Sequence, residues 1–483
     1  MLGALAFLSF APYRWYALMP LLLAGFVLLG TRAQTWRQAA GLGYCFGLGY
    51  FLFGVSWVYV SMHEFGGMTA PLAAFATLVF CAYLALYPAL AASVLGIARY
   101  SPTRRALVLF PAAWALSEWL RGWVFTGFPW LAAGYSQVPD GPLGQFGPLL
   151  GVYGVSWVTA SCGAALAGLI VTRQGPRRWA AGVLIGLVAL GFGLRWTTWT
   201  RPAGTPFGVS LLQGNIAQSL KWDPAHVRTT LDTYLSMTQA ATTLLILLPE
   251  TALPLFDTDV PPEYLRALGD HARSLKGDVL IGIPEYAGRD IFYNSVMSFG
   301  SAPTQTYRKH HLVPFGDFVP RWGVLTWIMK SLQIPMSSFS HGEAVQRPLA
   351  VAGQQVAVNI CYEDVFGEEL IRQLPMATFM VNFTNDAWWG KSGAAEQHLQ
   401  ISQMRARETG RFMLRATNTG VTAIIDQHGR VRAQLAQFTQ ATLSGSAQGY
   451  QGATPFVRGG NLPVLLGTVI ILIIGFWRHV PRR

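Results

Sequence analysis

The sequence predicts a polytopic α-helical membrane domain joined to a layered α/β domain. Three observations carry this. Residues 1–198 and the end of the chain consist largely of long apolar runs, whereas 199–458 reads as an ordinary globular protein. Only 12% of the 483 residues are charged, against about 25% in an average soluble domain. Within the middle region, short β-rich runs alternate with helical stretches, the pattern of a layered domain.

A helix needs roughly 20 mainly apolar residues to cross the hydrocarbon core. Candidate spans are 16–30, 38–61, 71–98, 106–121, 146–171, 180–197 and Leu462–Trp477. Ahead of them, residues 1–10 are apolar but too short to span. They are either the tail of a longer first helix or an interfacial segment, so the expected count is seven or eight. They lack the charged start of a signal peptide. The expected organisation is therefore helices over 1–198, an exported domain over 199–458, and a last helix with a basic tail over 459–483.

The net charge of +12 raises nucleic acid as a partner, but its placement argues against it. Arginines gather at 32 and 37, at 99, 104 and 105, at 173, 177 and 178, and at 478, 482 and 483. These are alternate junctions between apolar runs, and basic short loops stay cytoplasmic. The large domain then lies on the non-cytoplasmic face and the C-terminus in the cytoplasm. Cys45, Cys81 and Cys162 fall inside apolar runs, where cysteine behaves as a small apolar residue. Cys361 is the only cysteine of the exported domain, and a lone thiol there is a candidate reactive group.

Strands are expected at 207–213, 243–248, 279–283, 292–298, 355–361, 378–384 and 421–426, and helices at 224–240, 262–274 and 396–409. The polar segment 437–460 reads as a connection back to the membrane. Three stretches stand at or just beyond strand ends: LLILLPET with Glu250, TYRKHHLVPFGDFVP with Lys309, and NICYEDVF with Cys361. Strand ends of one sheet can meet at one edge, which would let the three converge. Their chemistry is coherent. The thiolate is the nucleophile, yet a free thiol with a pKa of about 8.5 is mostly protonated at neutral pH. A carboxylate can take its proton, and an ammonium can stabilise the oxyanion of an attacked carbonyl. The product would be an acyl-enzyme. Each residue also has a plainer reading: Glu250 as a helix cap, Lys309 as a surface lysine, His310 and His311 as loop structure. No metal-ligand spacing and no dissociable cofactor are indicated.

The stretches LLPET, YRKHHLVPFGDFVP, NICYEDVF and VNFTNDAWWG resemble the nitrilase superfamily of carbon–nitrogen hydrolases. With the polytopic frame, and with LAFLSFAPY, WVYVSMHEFGGM, LRGWVFTGFPWLAAGYSQ and LLQGNIAQSLKW, the chain resembles the apolipoprotein N-acyltransferase family of the bacterial inner membrane from end to end. The resemblance implies a nitrilase-like αββα sandwich facing the periplasm, carried by a multi-pass membrane domain. It also implies a two-step reaction. Cys361 takes a fatty acyl chain from a phospholipid, typically phosphatidylethanolamine, and passes it to the α-amino group of a diacylglyceryl-modified N-terminal cysteine of an apolipoprotein. By motif, Glu250 carries over as general base, Lys309 as stabiliser of the intermediate and Cys361 as nucleophile. Tyr362, Glu363 and Trp222 carry over as supporting residues. The family often has a glutamate eight residues after the lysine. Here that position is Asp317, one methylene shorter. A monomer is expected.

Two further features fit a lipid substrate. The apolar stretch 318–336, with Trp322 and Trp327, reads as an interfacial element or a lid, or else as a core helix. Trp388 and Trp389 read as lipid contacts or core packing. Glu118 and Arg121, three apart at the end of an apolar run, read as a functional pair or a structural ion pair. A membrane-anchored amidase is the competing reading, and a transporter with an appended sensor domain a more distant one.

Overall fold

Backbone polar groups inside a bilayer must be satisfied within the segment, so apolar runs become helices. Each expected span is helical over most of its length, with a break at residues 55–56 and an early end at Leu194, in the structure, a computed structural model that describes residues 1–98, 100–171, 174–318 and 339–477. Most of the stretch 318–336, with Trp322 and Trp327, lies outside the described residues, as do Arg99, Arg173, Arg478, Arg482 and Arg483. Among the described residues, three helices are long and apolar enough to cross a membrane: Ala70–Gly96, Pro142–Val171 and Gln174–Leu194. A fourth arises if Trp36–Gly54 and Trp57–Phe65, bent by 53°, form one broken span. Leu18–Gly30 and Leu462–Trp477 are apolar but shorter.

The sheet region is a sandwich. Strands β1 (Arg201–Gln213), β2 (Leu245–Leu247), β3 (Asp278–Tyr286), β4 (Phe292–Gly300) and β5 (Thr306–Arg308) form the first sheet in that order. Strands β6 (Leu349–Val351), β7 (Gln354–Ile360), β8 (Phe379–Thr384), β9 (Met413–Thr417), β10 (Ala423–Ile425) and β11 (Val431–Gln434) form the second, also in order. Strand β12 (Ala441–Gln451) returns to pair antiparallel with β1. Side chains alternate across each strand. Val209, Leu211, Val356, Val358 and Ile360 meet between the sheets. Leu212, Ile246 and Ile281 face outward under helices Pro224–Ala240 and Pro262–Ser274. Ala357 and Met380 face outward under helix Ala394–Thr409. The expected αββα layering is what forms.

Strand β12 corrects the reading of 437–460 as a simple connection. Its sequence, ATLSGSAQGYQ, is polar and glycine-rich, so no apolar alternation marks it. It is nonetheless a strand because the outer edge of β1 offers it a full ladder of backbone partners.

The helices and the sandwich interlock. Gln397, on the helix over the second sheet, accepts from the indole N–H of Trp57 (3.2 Å) and Trp130 (2.7 Å) and donates to the Gly54 carbonyl (3.0 Å). Glu118 and Arg121 are both buried but grip the following loop rather than each other. The Arg121 guanidinium donates to the carbonyls of Phe128 and Trp130, both at 2.6 Å. Glu118 accepts from Trp114 Nε1 and from the Ala133 backbone N–H, both at 2.9 Å. The loop passes through Gly127, where φ is +88° and a Cβ would come within 2.0 Å of the Gly122 carbonyl oxygen. Only glycine fits that turn.

Candidate active site

Strands β1, β2 and β3 run parallel, and two antiparallel steps through β4 return β5 to the same direction. Glu250 follows β2 and Lys309 follows β5, so both stand at carboxyl ends on one edge of the first sheet. Cys361 follows β7 of the second sheet. The site therefore spans the two stacked sheets instead of one sheet's edge. A sequence has no marker for which strands share a sheet, and the face-to-face packing makes the difference.

Cys361 has a φ of +53°, in the left-handed region. A non-glycine residue held there costs of order 1–3 kcal/mol and persists where its surroundings over-determine it. Here Asn382 Nδ2 donates to the Cys361 carbonyl at 3.0 Å, and the Ile360 N–H donates to Glu363 at 2.7 Å. The turn delivers the thiol to the sheet edge, beside Thr384. Burial pushes the thiol pKa well up, and the Glu250 charge pushes further, against weaker pulls from Lys309 and Thr384.

Glu250 is fixed through both oxygens. Oε1 accepts from Asn294 Nδ2 (2.8 Å), and Oε2 accepts from the Asn385 backbone N–H (2.9 Å). Lys309 is 1% exposed. Its Nζ lies 2.7 Å from Asp317 Oδ2 and 3.6 Å from Glu250 Oε1. Burial pulls the ammonium pKa down, but Asp317, then Glu250, then Cys361 outweigh it and hold the pKa well above the usual lysine value. The shorter Asp317 side chain does reach the lysine. It does so because residues 313–318 fold tightly, with the same Oδ2 accepting from the Val313 N–H at 2.8 Å. Asp317→Asn should lower turnover, because Lys309 loses the nearer of its two carboxylate partners, and should cost roughly 3–5 kcal/mol of stability. Steady-state kinetics check it, and unchanged kcat would show that Asp317 does not orient Lys309.

Glu363 accepts four hydrogen bonds: from Ile360 N (2.7 Å), Tyr307 OH (3.0 Å), His310 N (2.7 Å) and His311 N (3.1 Å). It clamps the lysine loop onto the cysteine turn. Burial raises its pKa, and the three backbone N–H groups pull against that. His311 stacks on Phe366, ring centroids 3.7 Å apart, and its Nδ1 lies 3.1 Å from Glu369. The histidines build the loop, as the plainer reading expected. Tyr362 turns toward the loop that follows helix Phe110–Arg121. Its OH donates to the Gly127 carbonyl at 3.2 Å, and its ring stacks with Trp130 at an interplanar angle of 11°.

Trp389 packs against Trp57, Trp130 and His398 and is core. Trp388 is half-exposed beside Phe65. Trp222 is 52% exposed, whereas its neighbour Lys221 is 4% exposed and donates to the Glu250 carbonyl at 3.2 Å. Sequence reasoning missed Lys221, Asn294, Asn382, Thr384 and Asn385. The polar residues in the otherwise apolar run VNFTND were a usable signal, because strand interiors exclude unpaired amides.

A model of the apolipoprotein N-acyltransferase N-terminal domain matches residues 2–165, and a carbon–nitrogen hydrolase model matches residues 208–454. An apolipoprotein N-acyltransferase of Nitrosomonas europaea is 50% identical over 98% of this chain and 95% of its own. The chain belongs to the apolipoprotein N-acyltransferase family. A second member, from Chromobacterium violaceum, is 46% identical over 99% of this chain and 93% of its own. It is an acyltransferase with a carbon–nitrogen hydrolase domain, and the amidase reading is not favoured. The arrangement, a thiol, a doubly hydrogen-bonded carboxylate and a buried cation in one site, is compatible with acyl transfer.

Proposed function

We propose that this chain moves a fatty acyl chain from a phospholipid to the α-amino group of a diacylglyceryl-modified N-terminal cysteine of an apolipoprotein, through a thioester on Cys361. In the first half-reaction Cys361 Sγ attacks the ester carbonyl while Glu250 accepts the thiol proton. The oxyanion forms within reach of Lys309. Its collapse breaks the ester C–O bond, and the leaving oxygen takes the proton from Glu250 to give a lysophospholipid. In the second, the acceptor amine attacks the thioester and passes a proton to Glu250. The C–S bond breaks, the amide forms, and the proton returns to the thiol.

One observation carries this reading. Glu250, Lys309 and Cys361 share one site whose wall, through Tyr362 and the loop residue Trp130, packs in one apolar cluster with the N-terminal helices. A small-amide hydrolase has no need of that packing. The N-terminal helices (1–198) and the closing helix and tail (459–483) serve as the membrane part, and 199–458 as the catalytic domain. The alternating arginine-rich junctions support a periplasmic site and a cytoplasmic C-terminus in a bacterial inner membrane. We read the donor as phosphatidylethanolamine and the working unit as a monomer.

Purified protein incubated with acyl-labelled phosphatidylethanolamine should acquire a hydroxylamine-sensitive label. Cys361→Ala should acquire none. A diacylglyceryl peptide with a free N-terminus should then remove the label onto its amine. Equal label on both proteins sinks the thioester, and release of free fatty acid in place of amide sinks the transferase.

A further inference from the structure

Lysine is almost never fully buried unless it is paired. Lys221 breaks that rule. It is 4% exposed, forms no ion pair among the described residues, and directs its Nζ to the main-chain carbonyl of Glu250 at 3.2 Å. The titratable groups set against it are Glu250 and Cys361. Beyond Glu250 stand Lys309, 3.6 Å from its Oε1, and Asp317. The segment carrying Lys221 is itself tied to the site. Gln218 Oε1 accepts from Asn385 Nδ2 at 2.8 Å, and the Asn385 N–H is the donor to Glu250 Oε2. Asp223, two residues on, caps helix Pro224–Ala240. A cap and a side-chain bond therefore bracket the lysine and aim it at the base.

We propose that Lys221 is a positioning residue for acyl transfer: its ammonium anchors the main chain of Glu250 and supplies a second positive charge to the Cys361–Glu250 pair, so acylation slows when that charge is lost. The proposal rests on the acyl-enzyme reading above. As Sγ attacks, negative charge moves onto the substrate oxygen while the proton passes to Glu250. A nearby fixed cation favours that redistribution in a buried, low-dielectric site.

The expected pH dependence has a definite sign. Burial lowers the Lys221 pKa to about 8, with Glu250 and Cys361 pulling the other way. The charge is present below that pH and lost above it, so acylation falls as pH rises through about 8. Titration of the Cys361 thiol, whose pKa burial pushes up, would raise the rate with pH instead. A falling limb therefore cannot belong to the nucleophile.

Single-turnover acylation tests this. Full-length protein in detergent micelles is mixed with fluorescent phosphatidylethanolamine and no acceptor, from pH 6 to 10. Wild type should lose rate with a midpoint near 8. K221R should lose that limb, because its guanidinium stays charged. K221M should be slower at pH 7 by about tenfold or more, with no limb near 8. The donor's own titration is common to all three. A limb at the same midpoint in K221R overturns the proposal, as does K221M within twofold of wild type at pH 7. Should K221M fail to fold, the K221R limb decides alone. Absence of any thioester label on wild type would sink the acyl-enzyme reading, and this proposal with it. That result is distinct from a labelled enzyme whose limb ignores Lys221.

Discussion

Glu250→Gln should slow thioester formation by about 10³-fold, within the range a positioned general base contributes. The substitution is nearly isosteric. An amide oxygen at Oε1 can still accept from Asn294 Nδ2, and the Asn385 N–H can meet the other end only by losing its bond or rotating the amide. The fold should survive, and the proton acceptor is gone. Because the wild-type thiol is held protonated by burial, the variant reacts only through the small thiolate fraction. Its rate should therefore climb about tenfold per pH unit between pH 6 and 7.5, while wild type stays nearly flat there. Stopped-flow acylation with a fluorescent phospholipid reads both. A variant with a flat profile and a rate within tenfold of wild type would remove Glu250 from the role of base.

Lys309→Met should abolish detectable acylation, a loss of about 10³-fold or more. One oxyanion partner alone accounts for about 10²–10³. The rest comes from the neighbours, since Asp317 and Glu250 are left as two buried carboxylates without their shared cation. Breaking a buried pair by removing one partner costs roughly 3–5 kcal/mol of stability. A thermal melt should therefore fall together with activity. Lys309→Arg keeps the charge, but its planar fork does not fit a seat built for a compact ammonium, so most of the activity stays lost. Retention of a tenth of the wild-type rate by Lys309→Met would refute the electrostatic role.

The main elements of both layers were legible in the sequence because their signals are local. Apolar runs mark the membrane-region helices, short β-rich runs mark β1 and β7, and helices Pro224–Ala240 and Pro262–Ser274 have the expected bounds, each opening on a proline at its first turn. The three residues that converge, Glu250, Lys309 and Cys361, were legible as candidates through three short motifs, and the structure brings them together. Strands β5, β6, β9, β11 and β12 lie outside the expected runs, and β12 has no local signal because its partner is the edge of β1, more than two hundred residues away. Glu118 and Arg121 were read as partners because they are three apart on one helix. Instead Arg121 and Glu118 bind backbone groups of the following loop that would otherwise be buried unpaired, and Glu118 also accepts from the Trp114 indole on its own helix.

What the sequence by itself determined is the chemistry on offer: a thiol, a carboxylate and an ammonium at strand ends, in a chain that must sit in a membrane. What only the tertiary structure decided is how those groups are held. Glu363 locks the lysine loop to the cysteine turn, Asp317 reaches Lys309 despite its short side chain, and the buried member of the Lys221–Trp222 pair is the lysine. The physical reason is the same in each case. A residue type sets what a group can do, whereas burial and hydrogen-bond partners, supplied by segments far apart in the chain, set its charge and its aim.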